Sequence, residues 1–516
     1  LSKVGFVNEV RCPVNFQCPD RESLMKDLKQ RTIRGGLARL IAQGANFFLR
    51  LGSLMVLARL LAPKDFGLVG MVTAFTGVLS LFRDFGLSAA AVQRDNVTQE
   101  QVSTLFWINM LVGGILAVLA LAMAPAIAAF YHEPRLIGVT AVVAAGFLFN
   151  AAGVQHSALL QRQMRFTALA VINTLGLVVG TAIAIGGAKA GYGYWSLVAM
   201  TVTMPLVVTI GCWMATAWVP GRPHRGSGVR SMMRFGSILT LNGLVIYVAN
   251  NFEKVLLGRY WGVDALGIYG RAYQFANIPT DNLNSAASEV AFSALSRLQN
   301  DPNRLRTYFL KGYSLVLAMT VPITIACAFF SDDVIYVLLG AKWMAASPIF
   351  RLLAPAILVF AVVNPLGWLL PSIGLVGRGL KMACVLAPMM IAGVLIGLHY
   401  GPNGVAFAYS AVMMLWVVPA IAWAVHGTVI SSKDVWLNAG RPLIASAASC
   451  ALALGLQHFY GSHFSPLPRL VIGVSISTAI YLWLLLYVMG QKSFYLDLIK
   501  GFRNRSSVEE EILVSA

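Results

Sequence analysis

The chain has 516 residues, of which 58% are hydrophobic and only 12% charged, and its mean hydropathy is +0.71. This excludes an ordinary soluble domain, in which roughly a quarter of the residues are charged, and implies an all-α polytopic membrane protein. The formal net charge of +18 does not indicate nucleic acid, because the basic residues are dispersed between apolar runs rather than gathered on a hydrophilic domain.

Residues 1–30 are polar and lack the apolar core of a cleaved signal, so they are expected to form a disordered N-terminal extension. From Gly36 onward the hydropathy breaks into about fourteen spans of roughly 20 residues, the length that crosses a hydrocarbon core. They are expected near 36–61, 66–83, 104–130, 136–158, 166–188, 193–217, 235–258, 266–293, 312–331, 346–371, 376–398, 403–425, 441–458 and 469–490. The eighth is the most polar, with Asp281, Asn282, Asn284 and Glu289.

The first span carries Arg39, Arg50 and Arg59. A charge at the bilayer centre costs roughly 2.5–3.5 kcal/mol on insertion scales, so such a residue faces a wet interior or snorkels to an interface. Arg39 and Arg59 lie near the two ends, where snorkelling competes with a lumen position. Arg50 sits mid-span with neither interface close, so it is expected to line an aqueous cavity suited to an anion.

Between spans, about 27 Lys and Arg fall on the side of the N-terminus and about 6 on the other, so the positive-inside rule places both termini in the cytoplasm. An internal repeat supports a duplicated architecture. LARLLAPKDFGLVG at 57–70 and LGRYWGVDALGIYG at 257–270 align without a gap at an offset of 200, matching Leu57 with Leu257, Arg59 with Arg259, Gly67 with Gly267 and Gly70 with Gly270. An even number of spans separates the copies, which makes the repeats parallel. The expected organisation is an N-terminal six-helix bundle at 31–217, a basic linker at 218–234, a C-terminal six-helix bundle at 235–426, two additional helices at 427–490 and a cytoplasmic tail at 491–516. Prolines within spans, among them Pro205, Pro279, Pro322, Pro355, Pro365 and Pro388, remove backbone hydrogen bonds and permit kinks that suit packing or bending.

No catalytic domain can be housed in the short connections, no phosphate-binding GxxxxGK[ST] loop is present, and the histidines lack metal-ligand spacing, so neither an enzyme nor a cofactor or metal is expected. His156 is expected to pack, and Cys212, Cys327, Cys384 and Cys450 lie in apolar runs as small hydrophobes. The candidate binding residues are therefore polar groups within spans: Arg50, Arg39 and Arg59, then Asn250 at the repeat position of Arg50, Lys254 and Arg271. Arg271 and Arg351 lie near span ends, where snorkelling also serves. Glu253 and Lys254 are adjacent and diverge by about 100° around their helix, so they cannot both face one way. Glu253, Asp281 and Glu289 are candidates for a coupling proton or for structural ion pairs.

ARLLAPKDFGLVG at Ala58–Gly70, FRDFGLSAAAVQ at Phe82–Gln93, GIYGRAYQFANIP at Gly267–Pro279 and FSALSRLQNDPNRLRTYFLK at Phe292–Lys311 resemble the polysaccharide transporter family. These are the Wzx-type flippases and the colanic acid or succinoglycan exporters of the MOP superfamily, which also holds the lipid II flippases and MATE antiporters. The resemblance spans nearly all of 31–490. It implies a bacterial inner-membrane protein that moves an undecaprenyl-diphosphate-linked oligosaccharide between leaflets by alternating access, with membrane lipids around it and the pathway's polymerase and chain-length machinery as further partners. A MATE-type drug or cation antiporter is the alternative reading on the same architecture, and it would favour acidic rather than basic cavity residues.

Overall fold

The computed structural model describes residues 44, 46–83, 98–163, 165–223, 230–460, 464–493 and 495. Arg39, residues 1–30 and most of 491–516 lie outside the described residues. Every regular element among those described is a helix.

The first half comprises α1 (46–60), α2 (Pro63–Leu81), α3 (Gln99–Tyr131), α4 (Arg135–Arg162), α5 (Phe166–Lys189) and α6 (Tyr194–Thr216). Then follow α7 (Arg230–Arg297), α8 (Pro302–Phe329), the short α9 (Ser331–Leu339), α10 (Ala346–Val363) with its continuation α11 (Leu366–Ser372), α12 (Val376–Leu398) and α13 (Gly401–Val425). The chain ends in α14 (Ser432–Tyr460) and α15 (Pro466–Trp483), which runs into a π-turn at Leu484–Val488. Eleven described helices are long and apolar enough to cross a membrane. The 68-residue α7 is two rods that meet at Gly262, where φ is 81°. That left-handed backbone suits a residue without a Cβ.

Local chemistry sets the helix ends, and it moves some of them away from the hydropathy boundaries. Pro63 occupies the first turn of α2, and the Asp65 carboxylate accepts the Ala62 N–H at 2.9 Å. Thr98 and Gln101 form a reciprocal capping box that starts α3 five residues before the expected span at 104. In the same way Asp301 accepts the Arg304 N–H at 3.1 Å and Pro302 follows, so α8 begins ten residues ahead of the apolar window at 312. Hydropathy detects what lipid covers, whereas a cap detects where backbone donors need partners.

Small residues let the helices approach closely, as expected where lipid supplies no hydrophobic drive for helix association. A Cβ on Gly113 would lie 2.4 Å from the Ala151 Cβ, and one on Gly153 would lie 2.3 Å from Thr209 Oγ1. Thr209 donates to the Phe149 carbonyl at 2.7 Å and Trp213 to that of Ala152 at 2.8 Å, which binds α6 to α4. His156 packs as expected: it is buried, stacked on Trp213 at 4.3 Å, with Nε2 against the Trp218 carbonyl.

The contact between the two halves of the chain is reciprocal. A Cβ on Gly67 would meet the Val263 carbonyl oxygen at 1.9 Å, and a Cβ on Gly267 would meet the Pro63 carbonyl oxygen at 2.0 Å. Because 263 is 63 plus the repeat offset, each glycine faces the other repeat's copy of the same backbone position. Further ties at this end follow the same exchange. Trp343, just beyond α9, donates its indole N–H to the Ala58 carbonyl at 2.8 Å, while Tyr131 at the end of α3 packs on Gly258, the repeat position of Ala58. Arg59 donates to the Val337 carbonyl at 2.6 Å, and its counterpart Arg259 reaches His132 Nδ1 at 2.6 Å. At the opposite end, Arg165 donates to the Ala215 carbonyl near the end of α6, and Arg378 to the Trp423, Ala424 and His426 carbonyls at the end of α13. A cation at a helix C-terminus satisfies orphan carbonyls and complements the dipole.

Replacing Gly67 or Gly267 by Ala should destabilise the protein despite the gain of about 0.5–1 kcal/mol in helix propensity, because a methyl under 2.1 Å from backbone forces the helices apart at a cost of about 1–3 kcal/mol. Each single variant should lower the melting temperature of the purified protein. The double variant should lower it by less than the sum, since both act on one contact.

Candidate functional site

Beneath the glycine crossing the helices part and enclose polar space. One cavity of about 720 Å³ is lined by Arg50, Asn46, Gln161 and Asn173 from the first half and by Gln274, Asn282 and Ser285 of α7. A second, of about 640 Å³, is lined by Thr73 of α2 and by Tyr247, Asn251, Lys254, Arg271, Asn277 and Asp281 of α7. Arg50, Gln274, Ile278, Asn282 and Ser285 line both, so the two volumes adjoin. The second reaches up to Gly70, Gly267 and Gly270, which makes the glycine crossing its end wall.

Three cations line this space. Arg50 extends from α1 where the two volumes meet, and among the described residues no carboxylate pairs with it. The Arg271 guanidinium stacks 4.5 Å over the Phe66 ring, and its buried Nε has no hydrogen-bond partner. Stacking holds the planar group in place and leaves its edge free, the geometry in which a guanidinium grips phosphate or carboxylate oxygens. Lys254 donates to Asn251 Oδ1 at 2.9 Å and sits 4.9 Å over the Tyr273 ring. Its neighbour Glu253 points the other way, as the helical angle requires, and is buried with Oε1 4.0 Å from the Lys254 ammonium. Asp281 is exposed to the second cavity. Among the described residues the lining thus carries three positive groups against one acid, with a second acid buried behind it.

The remaining candidates fall elsewhere. Arg59 is turned to the Val337 carbonyl and lines neither cavity; it ties the halves together rather than facing the lumen. Arg271 is positioned by Phe66 rather than extended toward an interface. Arg351 pairs with Asp332 at 3.1 Å. Asn250 and Glu289 lie on α7, and their side chains are outside the described residues.

Of the polar lining of α7, Gln274, Asn277 and Ser285 were missed at the sequence level, whereas Asp281 and Asn282 were noted there. Gln274, Asn277, Asp281 and Ser285 recur at three- and four-residue steps, so they share one face of the second rod of α7, with Asn282 beside them. That periodicity was readable in the eighth span, whereas Asn46, Gln161 and Asn173 come from three other helices and only folding brings them to the same space.

The fold is shared with the solved lipid II flippase MurJ in an inward closed conformation, with a TM-score of 0.68 over 90% of this chain and all of that one at 15% identity. The chain belongs to the polysaccharide biosynthesis protein family, whose pattern matches residues 56–348. It is 30% identical to the teichuronic acid biosynthesis protein TuaB of Bacillus subtilis, over 78% of this chain and 84% of TuaB. To the succinoglycan biosynthesis transport protein ExoT of Rhizobium meliloti it is 23% identical, over 86% of this chain and 91% of ExoT.

If the cavity is wet, Ser285→Cys should react with a charged, water-soluble thiosulfonate in membranes, in a background lacking Cys12, Cys18, Cys327 and Cys384. Buried Cys212 and Cys450 should stay unmodified and serve as internal controls. Mass spectrometry of the labelled protein gives the readout, and equal protection of all three thiols would mean that the space is dry.

Proposed function

We propose that this protein translocates an undecaprenyl-diphosphate-linked oligosaccharide from the cytoplasmic to the periplasmic leaflet of the bacterial inner membrane by alternating access. The observation that carries this reading is the cavity's three cations, two of them unpaired among the described residues, at the boundary between the two halves of the chain. An ion in low dielectric without a counter-ion is costly, so the site is built for an anion that arrives from outside the protein. A diphosphate is such an anion, and Arg50, Arg271 and Lys254 would hold it while the neutral amides of α7 meet the sugars. The names of the relatives support a glycan cargo: ExoT is a transport protein of succinoglycan biosynthesis, and the structural neighbour is a lipid II flippase. A cationic drug, the cargo of the MATE alternative, would meet net repulsion here.

The reading includes an architecture and an orientation. The reciprocal contacts of Gly67 with Val263 and of Gly267 with Pro63 favour two parallel six-helix repeats, with α1 and the two rods of α7 completing fourteen crossings. The Lys and Arg asymmetry favours cytoplasmic termini and sets the glycine crossing at the periplasmic end, so the cavity is of the inward-facing kind. With the cytoplasm negative, outward movement of each negative charge is favoured by about 2.3 kcal/mol per 100 mV. Glu253, Asp281 and Glu289 remain the candidates for a coupling proton. The polymerase and chain-length machinery of the same pathway would receive the product.

A strain lacking the gene should accumulate lipid-linked repeat units on the inner leaflet and lose surface polymer. Arg50→Ala and Arg271→Ala should each abolish rescue while the protein stays at its normal level in the membrane, and Arg50→Lys should restore only part of it, because an ammonium lacks the bidentate fork. Full export by both Ala variants would remove the cationic cavity from the mechanism.

A further inference from the structure

The ties at the crossing end are duplicated, but they are not chemically equal. Arg59 donates to a backbone carbonyl, that of Val337, an acceptor that does not titrate in the physiological range. Its repeat counterpart Arg259 donates instead to the Nδ1 of His132, at 2.6 Å, with its guanidinium 5.7 Å from the Phe130 ring. A guanidinium only donates, so Nδ1 must be the bare nitrogen of a neutral imidazole. Adding a proton there would set two donors and two positive charges face to face.

His132 is exposed, and it caps the C-terminus of α3 in the left-handed conformation, φ 56°. The other ionisable groups that the neighbouring elements carry at this end are Tyr260 and Asp264 of α7, Lys64 and Asp65 of α2, Tyr194 of α6, Tyr131 of α3, and Glu133 and Arg135 in and after the α3–α4 turn. Asp65 is engaged with the Ala62 N–H, and Arg135 holds Glu133 through hydrogen bonds of 2.7 and 2.9 Å. Those bonds keep the Glu133 carboxyl below its ordinary range, so it stays charged while a histidine titrates between pH 5 and 8. Among the described residues none of these groups hydrogen-bonds the imidazole, which leaves Arg259 as its partner.

We propose that the His132–Arg259 pair is a proton-releasable latch on the outer gate: it holds the two halves together when His132 is neutral and lets go when the extracytoplasmic side turns acidic. Closure and protonation oppose each other, and by linkage an acid outer compartment shifts the population toward an outward-open state. Only one of the two repeat-related straps responds, because the other ends on a carbonyl. The latch rests on the alternating-access reading and its orientation, but it does not depend on what the cargo is.

The test measures the distance between spin labels at Tyr192→Cys and Tyr400→Cys, exposed positions on the α5–α6 and α12–α13 turns, in full-length protein otherwise free of cysteine and held in lipid nanodiscs. The expected result is a short distance at pH 7.5 and a shift toward longer distances at pH 5.5. His132→Gln, and His132→Asn, which suits the left-handed backbone, should keep the short distance at both values. His132→Lys should give the long distance at both. A wild-type distribution that does not move with pH overturns the latch, as does a His132→Gln or His132→Asn protein that shifts as the wild type does. Because no substrate is present, the cargo assignment stands or falls separately, on the export assay.

Discussion

Backbone touches backbone where Gly67 crosses the first turns of the second rod of α7 and Gly267 crosses the first turns of α2. No pair of ordinary side chains reaches this separation, so the two helix pairs meet at a contact that only glycine permits on both partners. The rest of the central architecture follows from it. Helices pinned at one end and diverging toward the other leave a wedge, and the wedge is where Arg50, Lys254 and Arg271 find room. Around this contact, Trp343 on Ala58 and Tyr131 on Gly258 pack against the last turn of the helix they face. The Phe66–Trp343 edge contact at 5.4 Å adds an aromatic pair of the kind worth about 0.5–1.5 kcal/mol beyond burial.

The wedge is electrostatically unfinished. Elsewhere among the described residues charge is paired: Arg469 grips the buried Asp333 bidentately, Gln457 donates to the same carboxylate at 3.2 Å, and at the surface Arg306 pairs with Asp434. These bonds fasten α14 and α15 to the second half and settle every charge they involve. In the cavity the compensation is incomplete: Phe66 offers a ring face to Arg271 with no carboxylate paired to it among the described residues, while Lys254 lies over the Tyr273 ring with Glu253 4.0 Å away. A ring face stabilises a cation without cancelling its field, which is the difference between a site that is structurally finished and one that still attracts an anion.

The two halves meet through matched glycines, yet the elements that tie them are not alike. The second half keeps a buried Glu253 beside Lys254, and its α9 elbow brings Trp343 and Val337 across to the first half. The first half offers the short turn after α3, with His132 at its cap. The two ties at the crossing end therefore differ in chemistry, one ending on a backbone carbonyl and the other on an imidazole.

The amino-acid sequence by itself determined the membrane class, the approximate spans, the offset of the repeat and the anomaly of Arg50, because hydropathy, period and the cost of intramembrane charge are local quantities. It also separated Glu253 from Lys254, since their angle around one helix follows from adjacency alone. It could not decide between snorkelling and lumen positions for Arg59 and Arg271, because both sit near span ends and the answer depends on what other helices bring alongside. Only the tertiary structure decided it, by setting the Val337 carbonyl beside Arg59 and the Phe66 ring beneath Arg271. Likewise the matched glycines were legible as a repeat, but their pressing against each other's backbone is a property of how the halves dock, and docking joins residues two hundred positions apart that no local pattern connects.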